Sequence, residues 1–241
     1  MVGTIPFRDI ETVFLDVGNT LVSMDYEWIR DELGKVGVSA ELPVLMRAEA
    51  SARPVISRAV AGEASTEGLG TFELYLKTIL INLGTASDAT DGLVEDLARV
   101  FRGPGRERLW SNVLPGVPEA LQTLRALGRR LAVVSNSDGT VERILEEQGL
   151  REFLDAVFDS HIVGFEKPDP RFFLHALEVT GARAQSTLHV GDLYSADIEG
   201  GRAAGVHTAL VDPFGDWDGV DCPCFKDLEA LSQAFRANVE R

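Results

Sequence analysis

Residues 11–21 read Glu11-Thr12-Val13-Phe14-Leu15-Asp16-Val17-Gly18-Asn19-Thr20-Leu21. A short β-branched, apolar run ends at a carboxylate, and Gly18–Asn19 then breaks it. A run without polar alternation suits a strand buried on both faces of a parallel sheet. A strand is therefore predicted over 11–17, with Asp16 at its carboxyl end.

Working outward, the pattern after residue 105 alternates. Helices are predicted at about 118–127, 140–148, 170–180 and 197–204. Strands are predicted at 130–135, 156–158, 187–190 and 207–211, and a last helix at about 227–239. This alternation argues for an α/β fold with a doubly wound parallel sheet. Between the first strand and this series, from about Met24 to Gly105, apolar residues recur at helical spacing. Examples are Leu45, Ala48, Ala52, Val55 and Ile56, then Leu93, Leu97, Val100 and Phe101. Such stripes are packing faces. The expected organisation is a core of 1–22 and 106–241, with a helical cap domain of 23–105 inserted after strand 1 and the change of pattern at Pro104–Gly105.

Composition narrows the function. With 45% hydrophobic and 25% charged residues in 241, the chain has ordinary globular values and can bury a sizeable core. A formal charge of −15 without a basic stripe argues against nucleic acid. No apolar run is long enough to cross a bilayer, and residues 1–8 lack a signal-peptide pattern, so no membrane and a cytoplasmic setting are expected. Nothing points beyond a monomer or homodimer. Cys222 and Cys224 alone make no zinc framework and read as small buried residues. His189 and His207 sit in strand-like runs and read as core or surface residues.

In open parallel sheets, ligands bind outside the carboxyl ends of the strands. Those ends carry Asp16, then Ser135–Asn136, then Gly191–Asp192 with Asp197 five residues on. Lys167 lies in the loop after the third strand. Each residue alone has a bland reading, such as a helix cap for Asp197. The ordered set points to one site.

Asp16-Val17-Gly18-Asn19-Thr20-Leu21, Ser135-Asn136, Lys167-Pro168 and Gly191-Asp192-Leu193-Tyr194-Ser195-Ala196-Asp197 resemble, in order, the four motifs of the haloacid dehalogenase superfamily. The helical insert resembles the small cap of its phosphoglycolate phosphatase and haloacid dehalogenase-like branch. The resemblance implies a Rossmann-like core and a hydrolase of a small phosphorylated substrate. It implies Asp16 as the nucleophile forming an aspartyl-phosphate, with Ser135 and Lys167 as catalytic partners. Thr20 and Asn136 would bind substrate or support the loop. Mg²⁺ would be held by Asp16, the Gly18 carbonyl, Asp192 and Asp197, the last directly or through water.

One position departs from the family pattern. Family phosphatases carry an acid two residues after the nucleophile, and this chain has Gly18. Three readings stay open: a phosphatase for good leaving groups or with another proton source, a dehalogenase or phosphonatase, and a phosphate-binding module with weak or absent catalysis. Asp25 and Asp138 are candidate proton sources beside their readings as caps or solvated residues. Lys35 and Lys77 are candidate cap nucleophiles beside their reading as surface charge. Arg47, Arg53 and Arg58 are read in one cap helix as surface charge, with anion contact the alternative.

Overall fold

The computed structural model describes residues 4–62, 64–103 and 105–239. Of the positions read above, residues 1–3, 63, 104 and 240–241 lie outside them. The chain divides into two compact units, one of residues 1–22 and 113–241 and one of residues 23–112.

In chain order, β1 is Thr12–Leu15 and β2 is Val22–Met24. Helices α1 (Tyr26–Lys35), α2 (Leu42–Ala50), α3 (Arg53–Ala61), α4 (Leu69–Asn82), α5 (Thr90–Phe101) and α6 (Arg106–Leu109) follow. The chain returns through β3 (Trp110–Val113), which pairs with β2. Then come α7 (Val117–Ala126), β4 (Arg130–Ser135), α8 (Val141–Glu147), β5 (Ala156–Asp159) and α9 (Ser160–Val163). The remainder is α10 (Pro170–Thr180), β6 (Thr187–Gly191), α11 (Gly200–Ala203), β7 (His207–Val211), β8 (Cys224–Phe225) and α12 (Leu228–Val239).

Six strands form one parallel sheet in the order β5-β4-β1-β6-β7-β8. Side chains alternate between its faces. Phe14, Ala132 and Val134 share one face with Phe172, Phe173 and Ala176 of α10. Val13, Leu131 and Val133 alternate to the other face. There α7 lies against β4 and packs on α12, burying Leu121, Leu124, Leu231 and Phe235. Helices on both faces make the sheet doubly wound. Burying β1 completely explains why its sequence is continuously apolar. No helix among the described residues is long and apolar enough to cross a membrane.

The helical unit packs around Trp28, Leu33, Leu45, Leu80, Leu97 and Phe101. The stripe read as a single helix through residues 45–58 is two helices, α2 and α3. Pro54 lies in the first turn of α3, and without an N–H it cannot bond to the Ala50 carbonyl four residues back. Arg47 and Arg53 therefore lie on different helices. Arg53 is not surface charge: it is buried and pairs with Glu49, Nε at 2.8 Å and Nη2 at 2.7 Å. The Glu49 carboxylate also accepts from Tyr26 Oη at 2.8 Å and from the Tyr75 hydroxyl. These donors tie α1, α2, α3 and α4 to one buried charge.

Burial would raise the Glu49 carboxyl, but the Arg53 guanidinium and the hydrogen bonds from Arg53, Tyr75 and Tyr26 carry it net below its ordinary value near 4.5. A folded-state pKa below the unfolded one adds stability that is complete above the unfolded value and lost as pH falls through the folded one. Arg53→Ala strands this buried carboxylate and is expected to cost about 3–5 kcal/mol. It should also move acid unfolding to higher pH. Urea midpoints measured across pH check both, and an unchanged midpoint would refute the assignment.

Candidate active site

Parallel register places Leu15 beside Val133 on β4 and Val190 on β6. The residues that follow therefore emerge along one carboxyl edge: Asp16 after β1, Ser135 and Asn136 at the end of β4, and Asp192 after β6. The Asp16 N–H donates to the Val190 carbonyl at 2.9 Å, which fixes its backbone at that edge.

Asp16 is nine-tenths buried. Its Oδ1 accepts from Ser135 Oγ at 2.9 Å and from Lys167 Nζ at 2.6 Å. Among the described residues, Oδ2 takes no hydrogen bond. One oxygen is thus anchored and the other keeps its lone pairs. Burial pushes the Asp16 carboxyl up, against the pull of Lys167, and the Asp197 charge adds to the rise.

Lys167 is buried, and its ammonium lies 2.6 Å from Asp16 Oδ1 and 2.7 Å from Asp197 Oδ1. Burial alone would lower its pKa, but the two carboxylates carry it net above the ordinary lysine value. It is therefore an ammonium at neutral pH. Asn136 sets its place: Asn136 Oδ1 accepts from the Lys167 N–H at 2.7 Å, and Nδ2 donates to the Lys167 carbonyl at 2.9 Å. The Asn136 side chain, expected at the substrate, here clamps the backbone that carries the lysine.

Asp197 was expected to open an α-helix and to join a metal. It lies instead inside a π-helical turn, Tyr194–Glu199, and α11 begins only at Gly200. Its Oδ1 is shared by Lys167 and by His189 Nε2 at 2.8 Å. Its Oδ2 accepts from the Leu193 N–H at 2.9 Å. Both oxygens are engaged by the protein, so Asp197 orients Lys167. Two glycines permit this approach. A Cβ at Gly191 would lie 2.1 Å from Asp197 Cγ, and one at Gly200 would lie 2.8 Å from Pro168 Cα.

Asp192 is buried and accepts from Asn19 Nδ2 at 3.0 Å. Asn19 has φ 53°, a left-handed conformation that asparagine tolerates. The loop closes on the Val17 carbonyl, which accepts from Thr20, Leu21 and Val22, and Gly18 bridges to Val22. The Thr20 hydroxyl is buried with no partner among the described residues. The reading of the sequence missed Asn19 and His189. Asn19 had a signal, its place in a Gly-Asn turn just after Asp16 at the end of β1. His189 had none, because its partner lies eight residues on across a turn.

The other candidates are occupied elsewhere. Asp25 caps α1 through the Trp28 N–H at 3.0 Å and pairs with Arg108 at 2.6 Å. Asp138 accepts from Thr140 Oγ1 at 2.7 Å. Lys35 pairs with Glu32 and Lys77 with Asp91, all four within the helical unit. Cys222 is buried with its thiol pushed up to about 12, mainly by burial, while Cys224 is exposed on the edge strand β8. The buried reading holds for Cys222 alone.

Among the described residues, no group of three or more His, Cys, Asp or Glu side chains could hold a metal ion. Mg²⁺ asks for less, since it commonly takes one or two carboxylates and completes its shell with water and substrate. Asp16 Oδ2, Asp192 and the Gly18 carbonyl are hard oxygen donors of that kind. At this edge the buried carboxylates of Asp16, Asp192 and Asp197 outnumber the Lys167 ammonium, a deficit of positive charge. A divalent cation fits that deficit.

A family model for the haloacid dehalogenase-like hydrolases matches residues 10–205. The chain is 34% identical over 179 residues to haloacid dehalogenase-like hydrolase domain-containing protein 3 of Bos taurus, covering 73% of this chain and 70% of that one. It is 32% identical over 161 residues to phosphoglycolate phosphatase of Aquifex aeolicus, covering 63% and 75%. A magnesium-bound HAD-hydrolase of Bacillus subtilis, YfnB, superposes with a TM-score of 0.65 over 94% of this chain and 98% of that one; at 22% identity this is a likeness of fold.

The closeness of Gly191 to Asp197 makes a methyl group there costly. Gly191→Ala is expected to lower stability by about 1–3 kcal/mol, as overpacking does, because Asp197 must move and loosen its hold on Lys167. Thermal unfolding checks this, and an unshifted Tm would contradict it.

Proposed function

The chain belongs to the haloacid dehalogenase-like hydrolase family, and we propose that it is a Mg²⁺-dependent phosphatase of a small phosphorylated metabolite. The observation that carries the reading is the asymmetry of Asp16. Oδ1 is held by Ser135 and Lys167, while Oδ2 is left to attack. The phosphatase name of the Aquifex aeolicus relative supports the substrate class.

In this reading Asp16 Oδ2 bonds to phosphorus as the ester oxygen departs with its electron pair. The product is an aspartyl-phosphate, which divides one displacement into two. Water then attacks phosphorus, the bond to Asp16 breaks, and the carboxylate is regenerated with release of phosphate. The Lys167 ammonium offsets the repulsion between a carboxylate and an approaching phosphate. Ser135 keeps Oδ1 in place, and the buried Thr20 hydroxyl supplies a further hydrogen-bonding group in the adjoining loop. Bound Mg²⁺, held by Asp16, Asp192 and the Gly18 carbonyl, would withdraw charge from the phosphoryl oxygens.

Gly18 shapes the substrate choice. An acid in the second position would protonate the leaving oxygen, a contribution of about 10²–10⁴-fold. Glycine has no proton to give. Leaving groups that are stable as anions, such as the carboxylate of an acyl phosphate, suffer least from this loss.

Phosphate release from a panel of alkyl phosphates and acyl phosphates, with and without Mg²⁺, tests the reading. Metal-dependent release is expected, faster for acyl phosphates and abolished in Asp16→Asn. No release from a folded, Mg²⁺-binding protein would overturn it, and metal-independent halide release from a 2-haloacid would reassign Asp16 to attack on carbon. Gly18→Asp is expected to raise alkyl phosphate turnover by about 10²-fold or more, with little change for acyl phosphates. Equal rates in the variant and the parent would remove proton transfer as the limiting feature.

A further inference from the structure

We propose that His189 is a positioning residue: its Nε2–H holds Asp197, and through Asp197 it keeps the Lys167 ammonium aimed at Asp16. The role in turnover rests on the phosphatase reading; the hydrogen-bond geometry does not.

His189 sits in the middle of β6, in register with Phe14 on β1 and Thr208 on β7. Its ring is fully buried, with the Phe173 ring edge-on at 4.8 Å. Nε2 lies 2.8 Å from Asp197 Oδ1, while Nδ1 is buried with no partner among the described residues. A neutral imidazole carries one N–H. On Nε2 the proton makes a hydrogen bond to a carboxylate. On Nδ1 it would be a buried orphan donor, and the Nε2 lone pair would face the carboxylate lone pairs. Both consequences are unfavourable. Burial, opposed by Asp197, lowers the imidazole pKa, in keeping with a neutral ring. The geometry assigns the Nε2–H tautomer.

Asp197 Oδ1 then accepts from His189 and Lys167 together, while Oδ2 is pinned by the Leu193 N–H. The ammonium is shared almost evenly, at 2.6 Å from Asp16 and 2.7 Å from Asp197. His189 occupies part of the acceptor capacity of Oδ1 and fixes the direction of that oxygen. Without it, Oδ1 can give its full acceptor capacity to Lys167 and draw the ammonium off Asp16. The side chain at position 189 never faces the substrate. Its effect falls on the turnover step and not on recognition of the leaving group.

Three variants and two resonance measurements test this. Glutamine brings an amide donor to about the reach of Nε2, asparagine falls short of it, and leucine has no donor. With an acyl phosphate and Mg²⁺, His189→Leu and His189→Asn are expected to lose tenfold or more in kcat. His189→Gln should keep at least a third of it. All three should share similar preferences across the panel. Equal kcat in folded Gln, Asn and Leu variants would overturn the proposal. If the Leu variant does not fold, the contrast of Gln with Asn decides alone. Long-range 1H–15N correlation on the wild-type imidazole should show a protonated Nε2 and a bare Nδ1, and the reverse would overturn the proposal whether or not the protein turns over. If the phosphatase reading fails on the panel, the Lys167 Nζ resonance decides between the variants. It should move in His189→Leu and hold in His189→Gln, and the same position in both would sink the positioning role.

Discussion

A single ammonium, that of Lys167, lies buried between the carboxylates of Asp16 and Asp197, and the arrangement of the sheet's carboxyl edge follows from it. An unpaired charge at such depth would cost several kcal/mol, so each partner must be delivered accurately. Asp16 comes from the end of β1, Asp197 from the turn after β6, and Lys167 from the loop before α10. Three chain segments far apart in sequence are thereby bound to one another. Asn136 extends the constraint to the end of β4 by holding the Lys167 peptide from both sides.

The sheet makes this convergence possible. Parallel strands present all their carboxyl ends at one edge, and β1 and β6 are adjacent although the paired Thr12 and Thr187 lie 175 positions apart in the chain. The loops behind that edge are then tightened by backbone groups. Asp159, at the end of β5, accepts from the N–H groups of Gly139, Val141 and His161, and Ser160 exchanges hydrogen bonds with Ser137. Glycines at 191 and 200 leave room for the Asp197 side chain to fold back on the end of β6 and for Pro168 to lie against the start of α11. The result is an Asp16 carboxylate with one oxygen restrained and one bare, which would suit the proposed displacement, in which the attacking atom must be oriented but not masked.

The helical unit uses the same physics for another end. Glu49 is as deeply buried as any charge at the sheet's carboxyl edge, and its donors Arg53, Tyr26 and Tyr75 all belong to that unit. There the carboxylate is saturated by Arg53, Tyr26 and Tyr75, so it binds helices together and offers nothing to a reactant. Asp16 differs because its second oxygen is left unengaged. The contrast separates a buried charge that holds a structure from one that can react.

Much of this protein was legible in its residues taken in order. Continuous apolar runs ending at Asp16, Ser135 and Asp192 specify buried parallel strands with chemistry at their carboxyl ends, because strand burial and strand termination are local properties of the chain. That residues 26–101 are largely helical was legible for the same reason, from spacing. Roles that depend on direction were not. Asn136 turned out to clamp Lys167, Arg53 to be buried against Glu49, and Asp197 to hold Lys167 with help from His189. Each is decided by which groups lie within about 3 Å after folding, a through-space relation that no spacing encodes. The sequence by itself determined the alternating α/β framework, the glycine at position 18 and the identity of the groups at the strand ends. Only the tertiary structure decided which oxygen of Asp16 is left bare and which residues hold the others, because hydrogen-bond partners are chosen by packing across the sheet and not along the chain.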